Sequence, residues 1–173
     1  SDCFHNGDLQ VLADITESNG MFNLDPLYLG SQNWLSGRLI RIQVGNYFQG
    51  GNVELESLPE SISTLSSLAT LQVDKNSLTA LPSDIGNLSN LKELNISYND
   101  LEILPESIEN LGNLEVLSLN DNLLISLSEN LCNLNTSCEI DISDNFLCDE
   151  FYYSCFENFV NFNWNWQNQE ECP

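Results

Sequence analysis

Apolar residues return along the middle of the chain at a fixed interval of 23 residues. Four consecutive segments of one pattern begin at Leu58, Leu81, Leu104 and Leu127. In the second segment the apolar residues Leu94 and Ile96 alternate with the polar residues Glu93 and Asn95, which is typical of a β-strand with one buried face. A repeat this regular predicts a stacked solenoid, in which each coil buries its leucines against the neighbouring coils.

Two further features recur in the repeats and predict the structure between one strand and the next. An asparagine comes directly after the strand pattern, at Asn76, Asn99, Asn122 and Asn145. Its amide can satisfy the backbone groups of a tight turn and stack as a ladder from coil to coil. The dipeptide Leu-Pro opens the returning segment in the first three repeats, where proline suits the first turn of a short helix. The pattern therefore predicts an α/β solenoid of about five coils, with paired parallel strands and short helices.

The flanking segments predict caps that shield the ends of the solenoid from water. Asn6 and Asp8 precede apolar residues at helical spacing, and Asn19 is followed by glycine, which predicts a capped amphipathic helix. Ile42 aligns with Leu71, but at a separation of 29 residues, so the first repeat is expected to carry an extra loop around residues 47–52. We divide the chain into an N-terminal cap (1–37), repeats (38–149, with an irregular first repeat at 38–57 and regular repeats from 58, 81, 104 and 127) and a C-terminal cap (150–173).

Charge narrows the choice of partner. The 26 acidic residues are opposed by four basic ones, so the formal net charge is -22. The phosphates of nucleic acid would be repelled by this chain, which excludes nucleic acid as a partner. No apolar run approaches the roughly 18 residues of a membrane span, and the absence of a signal peptide suits a chain that has already been processed.

The six cysteines predict a disulfide framework and hence an oxidising, extracellular compartment. Local spacing favours pairing Cys132 with Cys138 and Cys148 with Cys155. Cys3 and Cys172 would then remain at opposite ends of the solenoid, too far apart for a bond within one molecule. They could pair between molecules stacked head to tail. A tail that folds back, other cap pairings and free thiols remain open alternatives.

The repeat resembles the leucine-rich repeat family in its 23-residue form, LPxxIxxLxxLxxLxLxxNxL. The resemblance implies a curved solenoid with a parallel sheet on its concave face and short helices on its convex face. The ends are also similar to a subgroup of secreted bacterial repeat proteins, often marine, that share a DLQVLADI-like start and a cysteine-containing C-terminal cap. The last copy departs from the pattern, since Ser128 replaces proline and Ser137 replaces a buried leucine. These departures mark the beginning of the C-terminal cap.

In this architecture the outward strand positions and the residues just after them would line the concave face, where relatives of this kind bind other proteins. They are Arg41, Gln43, Thr70, Gln72, Asp74, Glu93, Asn95, Ser97, Tyr98, Ser118, Asn120, Glu139 and Asp141. Asp121, Asp141 and Asp144 could gather oxygen ligands for calcium from neighbouring coils, although no contiguous calcium loop is present. A solvated acidic surface without an ion is the simpler interpretation, and no other cofactor is expected.

The C-terminal stretch VNFNWNWQNQ alternates aromatic and amide residues and predicts a strand. Phe162, Trp164 and Trp166 either fold over the last coil or remain outside, where they could stack on sugar rings or contact another subunit. The sequence contains no recognisable catalytic motif. His5 is the single histidine, and no nucleophile or phosphate-binding motif occurs.

We therefore expect a non-enzymatic extracellular protein. The scarcity of aromatic and arginine anchors on the concave face favours a structural subunit that assembles with itself, in a head-to-tail filament. The alternative is a monomeric recognition or adhesion module that binds another protein or a glycan through the concave face or the tryptophan-bearing end.

Overall fold

A computed structural model describes residues 4–45, 53–165 and 167–168, and all its strands belong to one sheet whose order follows the chain. The strands are β1 (Ser31–Leu35), β2 (Arg38–Gln43), β3 (Thr70–Gln72), β4 (Glu93–Asn95), β5 (Val116–Ser118), β6 (Glu139–Asp141) and β7 (Asn161–Asn163). One α-helix, α1, spans Asn6–Ser18. Short 3-10 helices span Pro26–Tyr28, Glu60–Thr64, Ile85–Asn87, Glu106–Asn110, Glu129–Asn133, Asp149–Phe151 and Ser154–Asn158.

The predicted parallel register is confirmed. Leu71 pairs with Leu94, Leu94 with Leu117 and Leu117 with Ile140, so each coil advances by 23 residues. Ile42 pairs with Leu71 as its alignment predicted. The 29 residues that separate Ile42 from Leu71 leave room for the expected extra loop. The loop itself, around residues 47–52, lies outside the described residues.

The core is a stack of leucine layers. Strands β3, β4 and β5 each bury their middle residue and half-bury the two beside it, which follows from the alternation of side chains along an extended chain. On the opposite wall, Ile62, Ile85 and Ile108 from the 3-10 helices are at most 1% exposed. Because no coil can cover its own leucines, the stability of each coil depends on its neighbours.

The N-terminal cap contains the predicted helix, but Asp8 has a different role from the expected one. The N-cap residue of α1 is His5, and no side chain caps the helix there. Asp8 is instead buried and accepts hydrogen bonds from the Arg38 side chain at 2.9 and 3.0 Å and from the Leu39 backbone N–H at 2.8 Å. This carboxylate therefore fastens α1 to the first repeat strand.

Strand β1 is not anticipated by the sequence, because SQNWL has only two apolar residues and lies outside the repeat. It pairs with β2 in the antiparallel direction and forms one outer edge of the sheet. At the other edge, β7 continues the parallel stack, with Phe162 beside Ile140. Phe162 stacks on Phe156 at 4.3 Å between ring centroids, so an aromatic cluster closes the last coil.

The cysteine pairing predicted from local spacing is wrong. Cys132 is bonded to Cys155, whose Cα lies 5.7 Å away, and Cys138 is a buried free thiol. Cys148 also belongs to a disulfide and is therefore not the partner of Cys155. The bonded cysteines are 23 residues apart, one full repeat, which places them side by side on neighbouring coils.

This pairing also removes the reason for expecting a disulfide between Cys3 and Cys172 of molecules stacked head to tail. That link required the cap cysteines to pair among themselves and leave Cys3 and Cys172 over. Both of these residues lie outside the described part of the chain.

Candidate functional site

The candidate site is the face of the sheet that points away from the core, which we call the sheet face. Its members are the outward residues of β2 to β7 and the residues that directly follow these strands. Most of the predicted surface residues are half-buried there, while Ser97 is buried and Tyr98 and Glu139 are exposed. The strands thus hold a row of polar side chains at fixed spacing, about 4.8 Å from one coil to the next.

At the N-terminal end of the sheet face, the charged groups are already engaged with one another. Arg41 donates a hydrogen bond from Nη2 to Oε1 of Gln72 at 2.7 Å, and Gln72 donates in turn to Oε1 of Glu93. The ammonium group of Lys75 lies 5.5 Å from the centre of the Tyr98 ring, a distance at which cation and ring attract each other. Both basic side chains at this end, Arg41 and Lys75, therefore already have partners within the protein.

At the C-terminal end, the sheet face forms a shallow depression of about 500 Å³. Its lining includes Ser118, Glu139, Asp141, Asn161 and Asn163, together with the inward-facing residues Leu117, Ile140 and Phe162 that lie between them along the strands. The outward side chains of the depression are thus mainly polar, and two of them are carboxylates.

Both carboxylates of the depression are held in place through one oxygen only. Asn161 donates to Oε1 of Glu139 at 2.9 Å, and Asn163 donates to Oδ1 of Asp141 at 2.9 Å. The Ser143 hydroxyl also donates to Oδ1 of Asp141, at 2.7 Å. Among the described residues, no donor reaches the second oxygen of either group. Each of these two lining residues therefore keeps one carboxylate oxygen that accepts no hydrogen bond from the described residues.

No basic residue compensates these charges. All four basic residues occur at or before Lys92, whereas 16 of the 26 acidic residues follow it. The effect is visible at Tyr98, where the negative charge of Asp121 raises the pKa of the phenol above its ordinary value. A hydrogen bond with Asp121, burial, and the charges of Asp144 and Asp141 raise this pKa further. The C-terminal half of the sheet face is thus a region of negative potential.

The repeat itself matches a known family. A model of the family described as "Leucine-rich repeat region" matches residues 38–162, well over half of the chain. The chain belongs to the leucine-rich repeat family. This leucine-rich repeat protein has no helix, among the residues described, that is both long and apolar enough to cross a membrane.

Solved structures similar to this leucine-rich repeat protein include two plant receptor ectodomains. The ectodomain of the receptor kinase SOBIR1 from Arabidopsis thaliana is 20% identical, with a TM-score of 0.72 and 95% of each chain covered. The BIR2 ectodomain from the same plant is 18% identical, with a TM-score of 0.60, and 96% of this chain and 97% of that one are covered. A plant ice-binding protein is 24% identical, with a TM-score of 0.56 over 85% of this chain and 58% of that one. At these identities the similarity shows the fold, and a search of curated protein sequences found no match.

The structure does not gather the three calcium candidates into a metal site. Asp121 and Asp144 occupy the same position in successive coils, each with a φ of 54°. However, no group of three or more His, Cys, Asp or Glu side chains in the described part of the chain is placed to hold a metal ion. Asp121 is instead engaged by Asn120, which donates to its carboxylate at 2.7 Å.

The asparagine of each repeat joins three parts of the backbone. Asn99, for example, donates to the carbonyls of Ile96 and Val73 at 3.1 and 3.0 Å and accepts from the Leu78 N–H at 2.9 Å. Asn76, Asn122 and Asn145 make the equivalent bonds. Gln167 continues the ladder, since it donates to the Ile142 carbonyl and accepts from the Leu147 N–H.

Two of the three aromatic residues predicted to fold over the last coil or to remain outside are described by the structure. Phe162 and Trp164 are half-buried and pack against the core, and Tyr152 meets Trp164 edge to face at 5.3 Å. The part of each ring that could stack on a sugar is therefore small. Trp166 lies outside the described residues.

Proposed function

We propose that this leucine-rich repeat protein is a non-enzymatic extracellular interaction module. Its ligand is a protein segment that presents lysine or arginine side chains to the C-terminal end of the sheet face. The observation that carries the proposal is the pair of carboxylates Glu139 and Asp141, which both line the depression and are each held by an asparagine through one oxygen.

The chemistry of these groups favours a cationic ligand. A carboxylate that is already oriented forms a charge-assisted hydrogen bond with an ammonium or guanidinium group without first losing side-chain entropy. The charge asymmetry of the chain would also guide a basic ligand toward this end during diffusion.

The extracellular part of the proposal is supported by the disulfide between Cys132 and Cys155, because such bonds persist mainly in oxidising compartments. The structural similarity to two receptor ectodomains is consistent with it. We also propose that a bacterium secretes the protein, because its N-terminal and C-terminal segments resemble those of secreted bacterial repeat proteins.

Self-assembly into a filament is the second candidate. It is favoured by the sheet topology, since β1 and β7 are the outermost strands and an uncovered strand edge can pair with another chain. It is opposed by the net charge of -22, which makes identical molecules repel each other at low salt. We therefore place it second to ligand recognition.

An NMR titration of isotope-labelled protein tests the proposal. The probes are a short lysine- and arginine-bearing peptide and a matched peptide with glutamate at the same positions. We expect shift changes that saturate and concentrate at β5, β6 and β7 with the basic peptide only. Equal changes on the sheet face and on the 3-10 helices would reduce the effect to non-specific attraction. Loss of signal that increases with protein concentration would instead favour self-assembly.

A further inference from the structure

A patch of exposed apolar side chains lies on the flank of the solenoid, beyond the sheet face. It comprises Leu123, Ile125 and Phe146, which we call the lateral patch. Their exposed fractions are 38%, 55% and 39%. In a chain with 26 acidic residues, adjacent exposed apolar groups of this size require an explanation.

Hydrogen bonds between coils bring these residues together. The Leu123 N–H donates to the Leu101 carbonyl at 2.9 Å, and the Phe146 N–H donates to the Leu124 carbonyl at 2.9 Å. Leu123 and Phe146 are one repeat apart, so their side chains lie side by side. Leu124 is buried between exposed Leu123 and Ile125, which shows that this segment is extended with both of these residues on the outer side.

The repeat does not need apolar residues at these positions. Ser77 and Asp100 are the equivalents of Leu123 in the two preceding repeats, and Thr79 and Glu102 are the equivalents of Ile125. The same backbone therefore folds with polar side chains there. The lateral patch is a local property of the later coils and not a requirement of the fold.

The surroundings of the lateral patch are acidic. Asp121 and Asp144 each precede a patch residue by two positions, and both are close enough to Tyr98 to raise the pKa of its phenol. Asp100 and Glu102 are exposed on the adjoining coil. Apolar surface rimmed by carboxylates is complementary to a segment that carries apolar side chains between basic ones.

We propose that the lateral patch is a second docking surface, whose occupant is a protein segment with apolar side chains flanked by lysine or arginine. A second copy of this chain is a poorer occupant, because two acidic rims would face each other. The proposal concerns a different surface from the depression on the sheet face, and either can be correct without the other.

The test compares two peptides on matched variants. One peptide combines lysines with leucines, and the other has serine in place of each leucine. The patch variant carries Leu123→Ser and Ile125→Thr, the residues that the chain itself has at Ser77 and Thr79, together with Phe146→Ser. The control variant is Phe22→Ser, which removes an apolar side chain that is 76% exposed on the N-terminal cap.

We expect the unaltered protein to prefer the leucine-containing peptide by about tenfold or more in Kd. This preference should disappear in the patch variant, and it should persist in Phe22→Ser. Circular dichroism checks that the patch variant is folded. The absence of a preference, or a preference that survives in the folded patch variant, would overturn the proposal. Sedimentation that shows dimers dissolved by the patch substitutions would overturn it too, since a second copy would then be the occupant.

Discussion

Asn95 and Asp141 occupy the same position two coils apart and accept the same pair of hydrogen bonds. Oδ1 of Asn95 accepts from the backbone N–H and the hydroxyl of Ser97, at 3.1 and 2.7 Å. Oδ1 of Asp141 accepts from the N–H and the hydroxyl of Ser143, at 3.0 and 2.7 Å. An amide therefore supplies the acceptor for these two bonds as well as a carboxylate does. The negative charge of Asp141 is available for another purpose.

Replacing Asp141 separates these two roles. We expect Asp141→Asn to change the free energy of unfolding by less than about 0.5 kcal/mol, because the amide keeps the acceptor. Asp141→Ala should lower it by about 1 to 2 kcal/mol, since the Ser143 N–H loses its partner. Urea denaturation measures both. An asparagine variant as unstable as the alanine variant would show that the fold itself requires the charge.

The ladder asparagines should be among the most sensitive polar residues of the chain. Asn99→Ala removes the acceptor of the Leu78 N–H and the donor for buried carbonyls, so we expect a loss of at least about 2 kcal/mol in unfolding free energy. The control is Asn110→Ala, an exposed asparagine on a 3-10 helix, which should cost less than about 0.5 kcal/mol. Similar losses in the two variants would contradict the structural role of the ladder.

The period of the sequence predicted most of the fold because a repeat imposes its own geometry. Once Leu71, Leu94 and Leu117 are recognised as equivalent, the parallel register is determined, and so is the outward direction of the residues between them. The same argument could have found the disulfide. Cys132 and Cys155 are one repeat apart, so the stacking of coils places them in contact, whereas spacing within the cap alone pointed to other partners.

The parts that escaped prediction are those outside the period. Strand β1 has no apolar alternation strong enough to reveal it, and Asp8 finds its partners 30 and 31 residues away. Gln167 takes a ladder position with a longer side chain than asparagine, at an irregular spacing from Asn145. The depression on the sheet face could not be seen either, because it depends on how β7 packs beside β6.

The anchor between Asp8 and Arg38 predicts a particular response to acid. Burial alone would raise the pKa of Asp8, but hydrogen bonds from Arg38 and Leu39 and the positive charge of Arg38 outweigh it and lower this pKa below 3.8. The ionised form is therefore favoured in the folded protein, and its contribution is complete above the ordinary pKa of an unfolded aspartate. It is lost as the pH falls through the lowered value.

Comparison with Asp8→Asn isolates this contribution from the other carboxylates. We expect the variant to be less stable than the unaltered protein by about 1 to 3 kcal/mol at neutral pH. The difference should shrink as the pH falls below about 4, because Asp8 then becomes neutral first in the unfolded chain and finally in the folded protein. Thermal melts from neutral to strongly acidic pH measure it. A difference that stays constant with pH would contradict the anchor.

The cysteines predict a specific pattern of chemical labelling. Burial, with a smaller effect from the charge of Glu139, raises the pKa of the Cys138 thiol to about 12, so almost no reactive thiolate is present at neutral pH. Iodoacetamide should leave Cys138 unmodified in the native protein and modify it after unfolding without reductant. Mass spectrometry of a non-reduced digest should find a Cys132 to Cys155 peptide. A peptide linking Cys132 to Cys138 would disprove this arrangement of the cap.

The most direct test of the recognition surface compares binding of a fluorescent lysine- and arginine-bearing peptide to two charge-matched variants. Glu139→Gln with Asp141→Asn removes both carboxylates of the depression. Glu106→Gln with Glu129→Gln removes the same charge from exposed positions in the 3-10 helices. We predict that the first variant binds about tenfold or more weakly, with a smaller dependence on salt, whereas the second stays within about twofold of the unaltered protein. Equal weakening in both variants would mean that the peptide senses only the total charge, and the proposed site would be wrong.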